Sequence, residues 1–323
     1  MLKKILKHAS QGTLLKSVVA YLIIKTDEVL FVNNVSFEIY YDIQKKFNFP
    51  IQKLQFYNAN RYFPDLKNPK SFNEKCCYSK LLCKNDLLVT ITDKHEVRDY
   101  VLEKIKENIL IPQICVAKNF DDINFDILPQ RFVLKTNFSS GQNIIVKNKN
   151  ILNIEKTKKI VNKWMKNRYR VQELIWFPQC IDRKIIIEEF ICDESGDIPV
   201  DYKFYVFNGV VRFINVISDR FKIKKMSFYD RNWNFLTLNK NNIQSDSSME
   251  KPILLGKMIH IAEKLGKDFN FIRVDLYNVN SKIYFGELTP YPGDGRSKFD
   301  PIFYDYEFGK YWDINLSHKM EKL

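Results

Sequence analysis

The sequence predicts an α+β protein with a mostly helical leading region, and three observations carry that expectation. Residues 1–88 mix apolar positions at helical spacing with aromatic clusters such as Phe37-Glu38-Ile39-Tyr40-Tyr41. Beyond them, short β-branched and aromatic runs alternate with turn residues, and Asn208-Gly209 between two such runs is the strongest short-range hairpin signal. Strands joined by tight turns pair antiparallel, which places the chain among α+β rather than α/β architectures. At 323 residues, with 45% hydrophobic and 28% charged content, it can fill two or three domain cores and is not of disordered composition.

In chain order, Asp93 with Glu96 three residues on suggests a capping box, and Val97, Tyr100, Val101 and Ile105 then share one helical face. Pro112 and a turn region over 119–126 separate that helix from Arg131-Phe132-Val133-Leu134-Lys135, a buried strand. A polar Gly-containing loop follows, and Ile144-Ile145-Val146 makes the next strand. A helix is expected within 149–170 on Ile160, Val161, Trp164 and Met165, and Lys184-Ile185-Ile186-Ile187 is a strand running into Glu188-Glu189-Phe190-Ile191. The Asn-Gly hairpin joins the run 201–207 to the run 210–214. After a helix over 253–265, the runs 271–277 and 283–288 form a second hairpin-like pair about turn residues 278–281. The expected domains are a helical region over 1–88 and two α+β regions over 89–200 and 201–323.

Lys and Arg exceed Asp and Glu by 51 to 38, a net charge of +13. Two readings stand: an anionic partner, or a lysine-rich solvated surface. The charge is spread in pairs such as Lys45-Lys46 and Lys158-Lys159 without a basic block or a nucleic-acid module, so no nucleic-acid partner is expected. Six cysteines without a C-x-x-C pair fit free thiols in a reducing cytoplasm, and Cys76-Cys77 reads as two half-buried helical thiols. The basic start, residues 1–7, precedes an apolar run over 14–24 that Lys16 interrupts. That run is short of the ~20 residues needed to span a bilayer. It is either a packed helix or a basic amphipathic segment lying at the inner face of the membrane.

Chemistry is signalled by ions inside otherwise apolar strands, because an unpaired buried charge is costly. Lys135, Lys203, Asp275 and Glu287 are such residues. Asp275 and Glu287 lie on runs that read as paired strands, so both can project from one sheet face, either to hold Mg²⁺ or to pair with neighbouring Lys and Arg. Lys135 precedes Ser139-Ser140-Gly141, small residues whose backbone N–H groups can approach a phosphate. Neither the P-loop nor the dinucleotide fingerprint is present.

The ordered set Asp93-Lys94, Val133-Leu134-Lys135 with Ser139-Ser140-Gly141, Glu188-Glu189-Phe190-Ile191, Lys203, Arg273-Val274-Asp275 and Gly286-Glu287-Leu288-Thr289 resembles ATP-grasp enzymes. Phe72-Asn73-Glu74-Lys75, Thr92-Asp93-Lys94, Asp201-Tyr202-Lys203-Phe204-Tyr205 and Tyr284-Phe285-Gly286-Glu287 resemble the TupA-like ATP-grasp family in particular, over residues 60 to 312. The resemblance implies an ATP-grasp fold, with nucleotide held between two α+β subdomains, and ATP and Mg²⁺ as cofactors. It implies that Lys94 and Lys135 contact the α and β phosphates, that Ser139, Ser140 and Gly141 form a loop closing over the nucleotide, and that Glu188, Glu189, Phe190 and Ile191 form the hinge strand holding adenine and ribose. It further implies that Lys203 reaches the γ phosphate, Arg273 stabilises transferred phosphate, and Asp275 and Glu287 hold Mg²⁺. Many ATP-grasp enzymes carry Asn where this chain has Thr289, a poorer metal ligand, so the number of magnesium ions stays open.

The implied reaction is carboxylate activation as an acyl phosphate followed by attack of an amine, in bacterial surface polysaccharide synthesis. The basic surface suits an acidic sugar or glycan as the acid. Competing expectations are an ATP-dependent phosphotransferase, a glycosyltransferase, and a non-catalytic scaffold at the membrane surface. Residues 217–248 match no motif and are expected to shape the substrate pocket.

Overall fold

In this computed structural model, residues 13–194, 196–218, 225–243, 245, 247 and 249–314 are described. The basic start at 1–7 and parts of the segment 217–248 lie outside them. Among the described residues, the strands in chain order are β1 Gln113–Ala117, β2 Phe132–Thr136, β3 Asn143–Val146, β4 Ile185–Glu189, β5 Asp201–Phe207 and β6 Val210–Ser218, then β7 Lys225–Asp230, β8 Phe235–Leu236, β9 Asn239–Lys240, β10 Phe271–Val279, β11 Lys282–Thr289 and β12 Phe299–Asp300. The chain divides into two compact units. One comprises Met1–Lys84, Arg170–Gln179 and Tyr291–Leu323, and the other Asn85–Tyr169 and Cys180–Pro290. The segments Arg170–Gln179 and Tyr291–Leu323 join the leading helices through contacts far apart in sequence, which no local pattern announces.

In the first unit, helices span Thr13–Asp27, Phe37–Lys46, Pro50–Asn60, Phe72–Leu82 and Phe303–Lys310. Helix Phe72–Leu82 starts from a reciprocal capping box, Ser71 accepting from the Glu74 N–H while Glu74 accepts from Ser71. Each residue of the Phe72-Asn73-Glu74-Lys75 motif has a structural task. Phe72 is enclosed by Phe299, Phe308 and Trp312. The Asn73 amide donates to the Ser297 carbonyl at 2.7 Å, Glu74 also accepts from the Asp65 and Lys70 N–H groups, and the Lys75 amine donates to the carbonyls of Gly309 and Trp312. The motif is a clamp on the C-terminal segment. Cys76 and Cys77, expected half-buried, are both fully buried, because this helix is covered on both sides.

In the second unit, a four-stranded antiparallel sheet has the order β1-β4-β2-β3. Period-two alternation sends Phe132, Leu134, Ile185 and Ile187 into a core with Val161 of helix Ile154–Lys166. Val133, Lys135, Ile186 and Glu188 take the other face. β1 was not expected: its run lacks clean alternation, as an edge strand's can. A six-stranded antiparallel sheet has the order β11-β10-β5-β6-β7-β8. Asn208 and Gly209 both adopt left-handed backbone in the β5–β6 turn (φ 49° and 75°), as the hairpin signal requires. Helix Leu255–Gly266 packs so tightly on this sheet that a Cβ at Gly266 would meet the Val206 side chain at 2.5 Å and Ile272 at 3.3 Å. The face of β5 and β10 that carries Val206 and Ile272 is therefore the helix face. Residues in alternation with them, Lys203, Arg273 and Asp275, occupy the opposite face.

Candidate functional site

The ionic residues of the six-stranded sheet form one row. Lys203 on β5 opposes Asp275 on β10, which in turn opposes Glu287 on β11, while Arg273 opposes Thr289. This alignment depends on a bulge. From the β10–β11 turn, Val279 pairs with Lys282 and Leu276 with Phe285, a register that would set Asp275 against Gly286 and turn Glu287 toward the helix face. Gly286 is the extra residue, and beyond it Asp275 meets Glu287. Glycine relieves crowding at that place, since a Cβ there would lie 3.0 Å from the Asp275 carbonyl oxygen and 3.1 Å from the Tyr277 ring, and its neighbours would have to give way.

The row is closely bonded. Arg273 donates from Nε to Asp275 Oδ1 at 2.7 Å, and from Nη2 to Asp275 Oδ2 and Glu287 Oε1, each at 2.8 Å. The Thr289 hydroxyl accepts from Arg273 and donates to Glu287 Oε1, both at 2.9 Å. Lys203 bonds to Asp275 and lies 2.7 Å from Asp201. Both readings of the carboxylates thus have a physical basis: each is paired with a cation, and the two converge on one point. Burial pushes the Asp275 carboxyl up against the pull of Arg273 and Lys203. Burial also opposes ionisation of Glu287, but the charges of Arg273, Lys203 and Lys94 outweigh it and hold the group at about 2.

The four-stranded sheet supplies the other side. Lys135 bonds to Glu188 at 2.5 Å, and Arg98 stands 3.9 Å from the same carboxylate. The Lys94 amine donates to the carbonyls of Ser139 and Asn137. Burial and the neighbouring Lys135 charge bring Lys94 down to about 8. Asn137 fixes this corner: its amide donates to Asp93 Oδ2 and to the Asp182 carbonyl, both at 2.8 Å, and its Oδ1 accepts from the Lys184 N–H. Asp93 caps the chain by accepting from the N–H groups of His95 and Glu96. The reciprocal half of the expected capping box is not made, because the Glu96 carboxylate pairs with Lys184, and the helix runs from Val97 to Ile105.

A pocket in this unit is lined by Lys94, Arg98, Lys135, Glu188 and Glu287 among its polar residues, with apolar walls from Ile91, Val97, Leu110 and Leu288. Lys203, Arg273 and Asp275 connect to it through Glu287 and do not line it. Ser139 is buried with its hydroxyl on Thr136, while Ser140 and Gly141 are exposed at the loop tip, Ser140 N–H donating to the Tyr169 hydroxyl at 2.7 Å. Of the expected hinge residues only Glu188 lines the pocket; β4 ends at Glu189, which is exposed, and Phe190 lies under the Arg131 guanidinium, 4.5 Å away. Sequence reasoning did not single out Arg98, Asn137 or Asp201. Asp201 was legible in principle, two residues from Lys203 on one strand face, but Asn137 sits in a loop without period.

No group of three or more His, Cys, Asp or Glu suited to a metal exists among the described residues, so an all-protein cage is absent there. Two carboxylates converging on one cation do fit Mg²⁺, which commonly takes one or two carboxylates and completes its shell with phosphate and water.

A family model described as TupA-like ATPgrasp matches residues 74–313. No protein of curated function matches the sequence. Among solved structures, D-alanine–D-alanine ligase from Bacillus anthracis complexed with ATP is 19% identical over 63% of this chain and 55% of its own, with a TM-score of 0.40. D-alanine–D-alanine ligase from Helicobacter pylori is 13% identical over 75% of this chain and 67% of its own, TM-score 0.40. The ATP-grasp ligase PsnB, complexed with a phosphomimetic variant of its minimal precursor, Mg and ADP, is 9% identical over 62% of this chain and 50% of its own, TM-score 0.35. The chain spans just over half the length of the Bacillus anthracis structure.

Proposed function

The chain belongs to the TupA-like ATP-grasp family, matched over residues 74–313, and from that premise we propose that it is an ATP- and Mg²⁺-dependent ligase joining a carboxylate to an amine through an acyl phosphate. The observation that carries this reading is the cross-strand row Lys203–Asp275–Glu287, brought into line by the Gly286 bulge and adjoining a pocket lined by Lys94 and Lys135.

Phosphoryl transfer needs positioning and charge neutralisation more than covalent chemistry from the protein. Lys94 and Lys135 would take the α and β phosphates, exchanging their present carbonyl and Glu188 partners for phosphate oxygens. Glu188, freed of Lys135, would accept from the nucleoside, with Glu189, Phe190 and Ile191 flanking it. Ser140 and Gly141, at an exposed loop tip, would bring backbone N–H groups toward the phosphates, with Ser139 anchoring the loop. Asp275 and Glu287 would hold Mg²⁺, which when bound neutralises phosphate charge. Arg273 and Lys203 would turn toward the transferred phosphate, and Asp201 offers Lys203 an alternative partner while it moves. Thr289, already bonded to Arg273 and Glu287, acts on their orientation.

The substrate acid in this reading is an uronic acid or acidic glycan precursor in surface polysaccharide synthesis, supported by the family's setting and by the +13 charge. The reaction would then run in the cytoplasm or at the inner membrane face; no helix among the described residues is long and apolar enough to cross a membrane. Purified protein with ATP, Mg²⁺, an uronic acid panel and amines should release ADP and phosphate, and hydroxylamine should trap the acyl group as a hydroxamate. ADP release without hydroxamate would mark a phosphotransferase. Stabilisation by UDP-sugars but not by ATP would replace the reading with a glycosyltransferase.

A further inference from the structure

Away from the nucleotide pocket, cationic side chains converge within the first unit. Gly293, Asp294 and Gly295 are consecutive left-handed residues, with φ of 66°, 56° and 73°. Asp294 carries a Cβ and is strained in that conformation. The turn lies hard against helix Phe72–Leu82, since a Cβ at Gly295 would meet the Asn73 carbonyl oxygen at 2.5 Å. It directs the Asp294 carboxylate inward, leaving the residue 6% exposed. There Asp294 Oδ2 accepts from Arg296 Nη2 at 2.8 Å and also contacts the Arg170 guanidinium. One carboxylate oxygen serves two forks. Arg296 otherwise reaches Gln55 at 3.4 Å and Glu173 at 3.7 Å. The Arg170 and Arg296 side chains remain 28% and 27% exposed, so solvent reaches both.

Lys80 stands within electrostatic reach of both arginines. It is 3% exposed, and among the described residues it has no hydrogen-bond or ion-pair partner. A buried ammonium normally has a partner, because burying it alone is costly. Burial, with repulsion from Arg296 and Arg170, accordingly lowers Lys80 to about 8. Three cationic side chains therefore gather about the carboxylates of Asp294 and Glu173.

We propose that Arg170, Arg296 and Lys80 form a binding site for a carboxylate-bearing small molecule, and that Asp294 occupies it as an internal competitor. The ligand carboxylate takes the fork positions that Asp294 Oδ2 now holds, two parallel N–H donors matching two oxygens, and Lys80 contributes the balancing charge. A carboxylate rather than a phosphate is assigned because the group already seated between the two guanidinium groups is a carboxylate.

Calorimetric titration of the full chain with glucuronate, alongside glucose and inorganic phosphate, tests this. Glucuronate should bind and glucose should not. Asp294→Asn, which removes the competing charge at nearly constant shape, should tighten glucuronate binding by about tenfold or more, and Arg296→Gln should weaken it by at least about tenfold. If Asp294→Asn binds no tighter than the natural chain, if phosphate outcompetes glucuronate, or if Arg296→Gln leaves binding unchanged, the assignment falls. A circular-dichroism melt accompanies each variant. Should Arg296→Gln not fold, Arg170→Gln takes its place, and the Asp294→Asn comparison decides the matter either way. Failure of ATP turnover would leave this titration unaffected, so the two proposals are separable.

Discussion

Lys94 sits where burial and the Lys135 charge both oppose its ionisation, and its amine is held at about 8. A lysine depressed in this way is charged below that value and neutral above it, so its hold on a phosphate fades as pH rises through 8. ATP affinity measured between pH 7 and 9 should therefore weaken above pH 8, by up to about tenfold per pH unit. Lys94→Met should bind more weakly at pH 7 and show a flatter profile; an unchanged profile would remove Lys94 from the phosphate site. Glu287 behaves in the opposite sense. Held at about 2 by Arg273, Lys203 and Lys94, it is ionised across any working range, and its contribution to stability is lost only as pH falls from 4.5 through about 2. Glu287, like Lys135, Lys203 and Asp275, was legible as an ion in an apolar run, since period-two alternation is a local property that a reader of the sequence can count, whereas Lys94 was picked out by the resemblance of its Asp93-Lys94 motif. Their partners were not legible. That Lys135 pairs with Glu188, or that Ser139 turns inward to Thr136, depends on which strand lies beside β2.

Among the elements, the β10–β11 hairpin decides the site. Its turn residues Asn280 and Ser281 are both left-handed (φ 48° and 57°), which fixes the register from one end, and Gly286 corrects it by one residue before the carboxylates meet. Gly286→Ala should destabilise the protein by about 1–3 kcal/mol in urea unfolding, as overpacking does, and lower ATP turnover by displacing Glu287. Turnover unchanged by the added methyl would show that the bulge does not position Glu287. Asn137 has the corresponding part in the other sheet, joining the Asp93 turn to the start of β4. Asn137→Ala leaves buried partners unsatisfied and should cost about 1–3 kcal/mol, with weaker ATP binding because Lys94 follows Asp93. The helix over 154–166 and the Asn-Gly hairpin followed from local pattern alone. β1 and the one-sided cap at Asp93 did not, because edge-strand pairing and the diversion of Glu96 to Lys184 are tertiary events.

At the scale of the whole molecule, the proposed chemistry draws all its residues from one unit, Asn85–Tyr169 with Cys180–Pro290. ATP with Mg²⁺ should raise its thermal midpoint, the gain reaching about 2.7 kcal/mol at a hundredfold excess over the dissociation constant. EDTA should remove most of that gain, and Asp275→Asn should remove the Mg²⁺-dependent part; a gain indifferent to both would separate Asp275 from the metal. The other unit is assembled from three stretches, and the Phe72-Asn73-Glu74-Lys75 motif serves there to hold the C-terminal segment. The sequence by itself determined the helical leading region and the main strands and hairpins that follow it, the ions that would be costly to bury unpaired, and the ordered motifs of an ATP-grasp chain, because propensity, alternation and order are written locally. Only the tertiary structure decided which charge meets which, how the Gly286 bulge turns Glu287 to the site face, and how Arg170, Asp294 and Arg296 come together across more than a hundred residues of chain. Register and long-range pairing are properties of two segments at once, and neither segment carries them alone.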